Sequence, residues 1–202
     1  MRVIVVDDHS SDDSAEVIRD LASRFAIVQA VLLPRNGGAS NARNVGFALG
    51  SSPWIAFLDT DDMWLPGAAR ALLADTAIRD ADIIAGHFAR VKLGGTPGEP
   101  ECGWDGGDIR AGLASGGVIS PSWSIVRRTT ALDVDGFDPS FRNCNDWDFY
   151  TRAAAAGARF ARIDKTVALY RTVPGDRLID DHSSGAVNAR RVLAHDYFAD
   201  AR

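Results

Sequence analysis

The chain reads as an α/β protein, with a mostly parallel sheet flanked by helices. Three observations carry that expectation. Short runs rich in β-branched and other apolar residues have the length of buried strands: Arg2 to Val6, Ile27 to Leu33, Trp54 to Leu58 and Ala81 to Val91. Helical patterns with start and stop signals separate these runs. The resulting βαβαβαβ order needs crossover connections, which place successive strands side by side in parallel.

The first strand ends in Asp7-Asp8. The stretch Ser10-Ser11-Asp12-Asp13-Ser14 offers N-caps, with Asp13 and Glu16 spaced as a capping box, and Val17, Ile18 and Leu21 give the next helix its apolar stripe. Pro34 closes the second strand. The loop Arg35-Asn36-Gly37-Gly38 leads to a helix from Ala39 to Leu49, with Gly50 at its C′ position. The third strand, Trp54 to Leu58, runs into Asp59-Thr60-Asp61-Asp62, and Pro66 suits the first turn of a helix over residues 67–77. Gly94 to Gly107 is rich in Gly and Pro and predicts a flexible loop. Further on, Ser120 to Arg127 predicts a strand, Asp146 to Ala156 a helix stopped by Gly157, and Phe160 to Tyr170 two short strands around Asp164-Lys165. A final helix is expected from Ser183 to Ala199.

The 202 residues suit one domain with a core of its own, its halves being the regular strand–helix part (1–92) and a less regular part (93–202). A hydrophobic share of 46% and a charged share of 24% place it among soluble globular chains. The formal net charge of -5 argues against a nucleic-acid partner. No apolar run is long enough to span a membrane. Cys102 and Cys144 have no metal-ligand spacing, so reduced thiols are expected, with a single disulfide between them as the other option.

The acidic strand ends are the chemistry to explain. Crowded carboxylates repel and raise one another's pKa, a cost best offset by a divalent cation such as Mg2+ or Mn2+. Ligands in such sheets bind beyond the carboxyl ends of the strands, where Asp7-Asp8 and Asp59 to Asp62 would face one site. Met1 to His9 resembles the start of a response-regulator receiver, and Asp59-Thr60-Asp61 resembles the nucleophile segment of haloacid-dehalogenase-like phosphatases. Both need a later lysine, and Lys92 and Lys165, the only lysines, stand at unsuitable places.

A third resemblance spans about 170 residues in five blocks. Val5 to Asp12 is similar to the Val-Asp-Asp-Gly-Ser-x-Asp segment of family 2 glycosyltransferases. Asn36 to Gly46 matches their Asn-x-Gly…Ala-Arg-Asn-x-Gly block. Phe57 to Trp64 looks like their Asp-x-Asp strand end. Asn145-Asp146-Trp147-Asp148 resembles their Glu-Asp segment, and Leu169-Tyr170-Arg171 a late Tyr-Arg strand. The resemblance implies a Rossmann-like GT-A fold and inverting sugar transfer from a nucleotide-sugar donor, a UDP-sugar first. It implies Asp146 as general base, Asp61 as ligand of Mn2+ or Mg2+, and Asp8, Asn36, Arg43, Asp59 and Asp61 as donor contacts. A carboxylate can accept a base N–H, a guanidinium can grip a diphosphate, and a carboxylate can take a hydroxyl proton. Asn145 stands where the family has Glu. Trp123 and Trp147 are candidates for stacking on a sugar, with a core role as the alternative. His182 is expected to be exposed.

The family pattern starts one strand and helix, about 30 residues, before Val5. That strand lies beside the one ending at Asp7-Asp8, so a chain beginning at Met1 is expected to be truncated. The alternative function is a non-catalytic nucleotide-sugar-binding module. Acceptors in the family are glycans, lipid-linked glycans and small molecules. The expected location is cytoplasmic, at the inner face of the membrane for a lipid-linked acceptor, with homo-oligomers allowed.

Overall fold

The computed structural model describes residues 1–74, 80–92, 94–172 and 182–201. Strands β1 (Val3–Asp7) and β2 (Val28–Leu32) flank helix α1 (Ser14–Arg24) and pair in parallel, Val3 opposite Val28 and Asp7 opposite Leu32. Helix α2 (Gly38–Leu49) then packs on β1, close enough that a Cβ on Gly46 would lie 3.4 Å from Val6 Cγ2. Gly50 is extended rather than left-handed, so it is not the C′ residue the sequence suggests. A side chain there would meet the Arg128 guanidinium at 2.8 Å.

The remaining strands are β3 (Trp54–Ala56), β4 (Met63–Trp64), β5 (Ile83–Lys92), β6 (Pro100–Glu101), β7 (Ser124–Arg127) and β8 (Phe160–Thr172). They form a second sheet in the order β3-β7-β5-β8-β4, with β6 on β5. This sheet is mixed. Only β5 and β8 are parallel neighbours; β3–β7, β7–β5, β8–β4 and β5–β6 are antiparallel. The mostly parallel sheet expected from the sequence is therefore corrected. The cause is β7, which inserts between β3 and β5 and runs against both.

Residues of β5 and β7 alternate between two cores, as strands buried on both faces must. Ile83, Ala85 and Val126 join one core with Leu113, Phe149, Tyr150 and Val192, supplied by α4 (Ile109–Ser115), α6 (Asn145–Ala155) and α7 (His182–Leu193). Ile84, Phe88 and Ile125 join the other, with Ala68 and Leu72 of α3 (Ala68–Ala74). The expected helix 67–77 runs past the described residues after Ala74. One continuous β8 replaces the two short strands expected over Phe160 to Tyr170, and register shifts opposite His87 absorb the polar Asp164-Lys165 step. The expected final helix is α7 followed by a 3-10 segment, Asp196–Ala201. Helix α5 (Arg128–Asp133) leads into a loop that Arg152 of α6 holds, pairing with Asp148 one turn back at 2.7 Å and donating to the loop carbonyl of Gly136 at 2.9 Å. Both cysteines are free thiols. Among the described residues, no helix is long and apolar enough to cross a membrane.

Candidate functional site

Asp8, just past β1, is tied to the start of α2. Its carboxylate accepts the N–H of Gly37 at 2.9 Å and of Gly38 at 2.6 Å, and Asn36 Nδ2 donates to its carbonyl at 3.0 Å. Negative charge at a helix N-terminus is stabilised by the orphan amides there. Asp7 is buried and accepts the Ser10 N–H at 3.3 Å. Between them, His9 is held at φ 64, the left-handed region that glycine enters without strain.

Arg43 lies five residues into α2, about 7 Å along its axis from Gly38. One guanidinium nitrogen donates to Asp59 Oδ1 at 2.6 Å and the other to Asn145 Oδ1 at 2.7 Å. The guanidinium also sits over the Phe137 ring, 5.2 Å from its centroid, and its Nε is buried with no partner. The next residue, Asn44, clasps Phe137 by its backbone, accepting its N–H at 2.8 Å and donating to its carbonyl at 2.7 Å. Helix α2 thus touches three parts of the candidate site: Asp8 at its start, Asp59 beyond β3, and the first turn of α6.

The acidic tip is held from the far half of the chain by a residue with no sequence signal. Ser122, fully buried in a 3-10 turn (Pro121–Trp123), accepts the Asp59 N–H on its hydroxyl oxygen at 3.2 Å. It also hydrogen-bonds the Asp62 carboxylate, and its carbonyl accepts the Trp64 indole N–H at 2.7 Å. Asp62 is 6% exposed and accepts the Arg171 N–H at 3.1 Å. Burial, with smaller pushes from Asp61 and Asp59, raises its pKa to about 6. Asp61 is half-buried beside it.

Asp146 occupies the first turn of α6, where its carboxylate accepts the N–H of Trp147 at 2.9 Å. Burial pushes its pKa up; the Arg43 charge and that N–H work against the rise, and the Asp59 charge adds to it. A carboxyl raised in this way is a stronger base once ionised, which suits proton abstraction. The turn is braced by Asn143, which contacts Ser184 and Asn188 of α7 at 2.8 and 2.6 Å. Trp123 and Trp147 are core residues rather than free stacking faces. Trp123 stacks on Phe88 with centroids 4.1 Å apart, and the Trp147 indole donates to the Leu113 carbonyl at 2.8 Å. The side chain of His182 lies outside the described residues.

Among the described residues, no three His, Cys, Asp or Glu side chains form a ready cage for a metal. Asp59 is bonded to Arg43, and Asp62 to Ser122 and Arg171, while Asp61 stands half-buried at the same tip. One carboxylate fits a Mg2+-type ion that keeps waters and shares substrate phosphates.

Residues 1–132 match the family model described as glycosyl transferase family 2. The chain is 32% identical over 196 residues to the succinoglycan biosynthesis protein ExoU of Rhizobium meliloti (strain 1021), covering 89% of this chain and 56% of that protein. It is 30% identical over 166 residues to a pre-mycofactocin glycosyltransferase of Mycobacterium tuberculosis, covering 79% of this chain and 35% of the other. It thus spans about half, or less, of the curated relatives it matches. Among solved structures, that of S. aureus TarS 1-349 in complex with UDP-GlcNAc superposes with a TM-score of 0.72 at 20% identity, over 96% of this chain and 58% of that one.

Proposed function

The chain belongs to glycosyl transferase family 2, and from that premise we propose that it transfers a sugar from a nucleotide-sugar donor to an acceptor hydroxyl with inversion. Asp146 acts as general base. The observation that supports this is the meeting, through Arg43, of the acidic tip and the first turn of α6, so that the carboxylates proposed for the diphosphate end and for proton transfer belong to one cluster.

In the reaction the acceptor oxygen attacks the anomeric carbon as the diphosphate departs. The acceptor proton passes to the Asp146 carboxylate. A nucleotide would pass along the Asp8 loop and the glycines at the start of α2, where Asp8 Oδ1, accepting the Gly37 N–H, keeps a lone pair for a base N–H. Asp59 lies at the ribose and diphosphate end. A Mn2+ or Mg2+ ion held by Asp61 would neutralise charge on the departing diphosphate. A UDP-sugar is the first donor to test, in keeping with the UDP-GlcNAc complex of TarS. Glycans, lipid-linked glycans and small molecules are the acceptor classes.

The test is calorimetry with UDP and Mn2+, followed by UDP release from UDP-GlcNAc. Wild-type chain is expected to bind and turn over. Asp146→Asn is expected to bind UDP within about threefold of wild type and to lose at least about 100-fold in turnover. Binding without turnover in the wild type would support a binding module instead. Turnover surviving in Asp146→Asn would remove that residue as the base.

A further inference from the structure

We propose that Arg43 is a positioning residue: its guanidinium ties Asp59, beyond β3, to Asn145, the first residue of α6, and so sets where Asp146 stands relative to the donor. This rests on the glycosyl-transfer function above. The sequence alone suggests a cation for the base or the diphosphate. The geometry points elsewhere, because both outer nitrogens of the fork are already spent at 2.6 and 2.7 Å on partners 16 residues downstream and 102 residues downstream. The side chain is only 13% exposed and lies over Phe137, whose backbone Asn44 clasps on both sides. A planar fork pinned in this way has little freedom to turn toward an incoming phosphate.

Residue 145 makes the arrangement particular to this chain. An amide accepts the Arg43 N–H without cancelling its charge, so Asp59 is the one carboxylate bonded to the guanidinium. The remaining positive field reaches Asp146, one residue beyond the anchored Asn145. Anchor and field act together: one fixes the position of the base, the other favours its ionised form.

The experiment measures UDP release from UDP-GlcNAc with Mn2+, water serving as acceptor, across pH. Wild type is compared with Arg43→Gln, Arg43→Lys, Asn145→Ala and the Arg43→Gln/Asn145→Ala double variant. Loss of the bridge in Arg43→Gln is expected to lower kcat about 100-fold while KM for UDP-GlcNAc moves less than about threefold. Its acid limb should shift to higher pH, since burial and Asp59 then oppose ionisation of Asp146 with the backbone N–H groups of Trp147 and Asp146, but no longer the Arg43 charge, against them. Arg43→Lys keeps the charge without the fork, so it should restore the limb but not kcat. The double variant should be no worse than Arg43→Gln. A raised KM at unchanged kcat would overturn the proposal and make Arg43 a donor contact, and additive losses in the double variant would overturn it as well. If wild type neither binds UDP nor turns over, the glycosyl-transfer function fails, and melting temperatures of the same four variants decide the bridge alone. Non-additive losses of Tm keep it and additive losses remove it.

Discussion

Ser122 shows how much of the site depends on a side chain that no motif marks. Its hydroxyl serves the Asp59 N–H and the Asp62 carboxylate at once, and it is fully buried. Ser122→Ala would leave the part-buried Asp59 N–H without this acceptor and the Asp62 carboxylate with the Arg171 N–H alone of its two partners, a loss of about 1–3 kcal/mol for such a group. Chemical denaturation is expected to show that loss, and calorimetry a weaker UDP–Mn2+ interaction; an unchanged midpoint would remove Ser122 from this role. A second expectation follows from Asp146. Because burial raises its pKa, turnover should fall with decreasing pH through a point above the usual carboxylate range. A rate still flat at pH 4 would contradict that. The Asp-rich strand ends stood out because crowded carboxylates demand a reason, and Asp146 stood out only through the family resemblance. Ser122 and the double commitment of Arg43 were not, since both depend on partners dozens of residues away.

Among the elements, the loop before α6 is the most constrained. Gly136 has φ +67, and a Cβ on it would lie 2.5 Å from Asn44 Oδ1. Gly136→Ala is therefore expected to destabilise by about 1–3 kcal/mol, from backbone strain and from pushing Asn44 off Phe137. In an Asn44→Ala background the cost should shrink toward the strain alone, and equal costs in the two backgrounds would show that the clasp is not involved. Helices were the legible elements. The expected 39–49 became Gly38–Leu49, and 146–156 became Asn145–Ala155, because caps and apolar periodicity are local signals. The sheet was legible only in part. Four residues of β7, Ser-Ile-Val-Arg, announce a strand but not its direction, and their insertion turned an expected parallel sheet into a mixed one. Strand pairing is a long-range property that periodicity does not encode.

At the scale of the whole molecule, two sets of acids set opposite pH limits. Asp82 lies where β5 begins; although burial works against it, Arg159 and Arg127 hold its pKa below the usual range, so the stability it adds is lost as pH falls. Asp62 has the other sign. Its folded pKa of about 6 exceeds the ordinary aspartate value of 3.8, so the folded state holds the proton longer and stability falls as pH rises between those values. Asp62→Asn removes that decline. Its melting temperature should match wild type near pH 4 and exceed it above pH 6, where its stability should be greater by on the order of 3 kcal/mol. A gap that is constant with pH would contradict this. The clasp on the acidic tip also has a history in time. Asp59 waits for Ser122, 63 residues later, and Asp62 for Arg171, 109 residues later. At a ribosomal pace of about 10 residues per second, those delays are roughly 6 and 11 s. A nascent chain would therefore carry these carboxylates into solution for seconds before their partners exist, with the acidic tip unfinished until residues 122 and 171 are made.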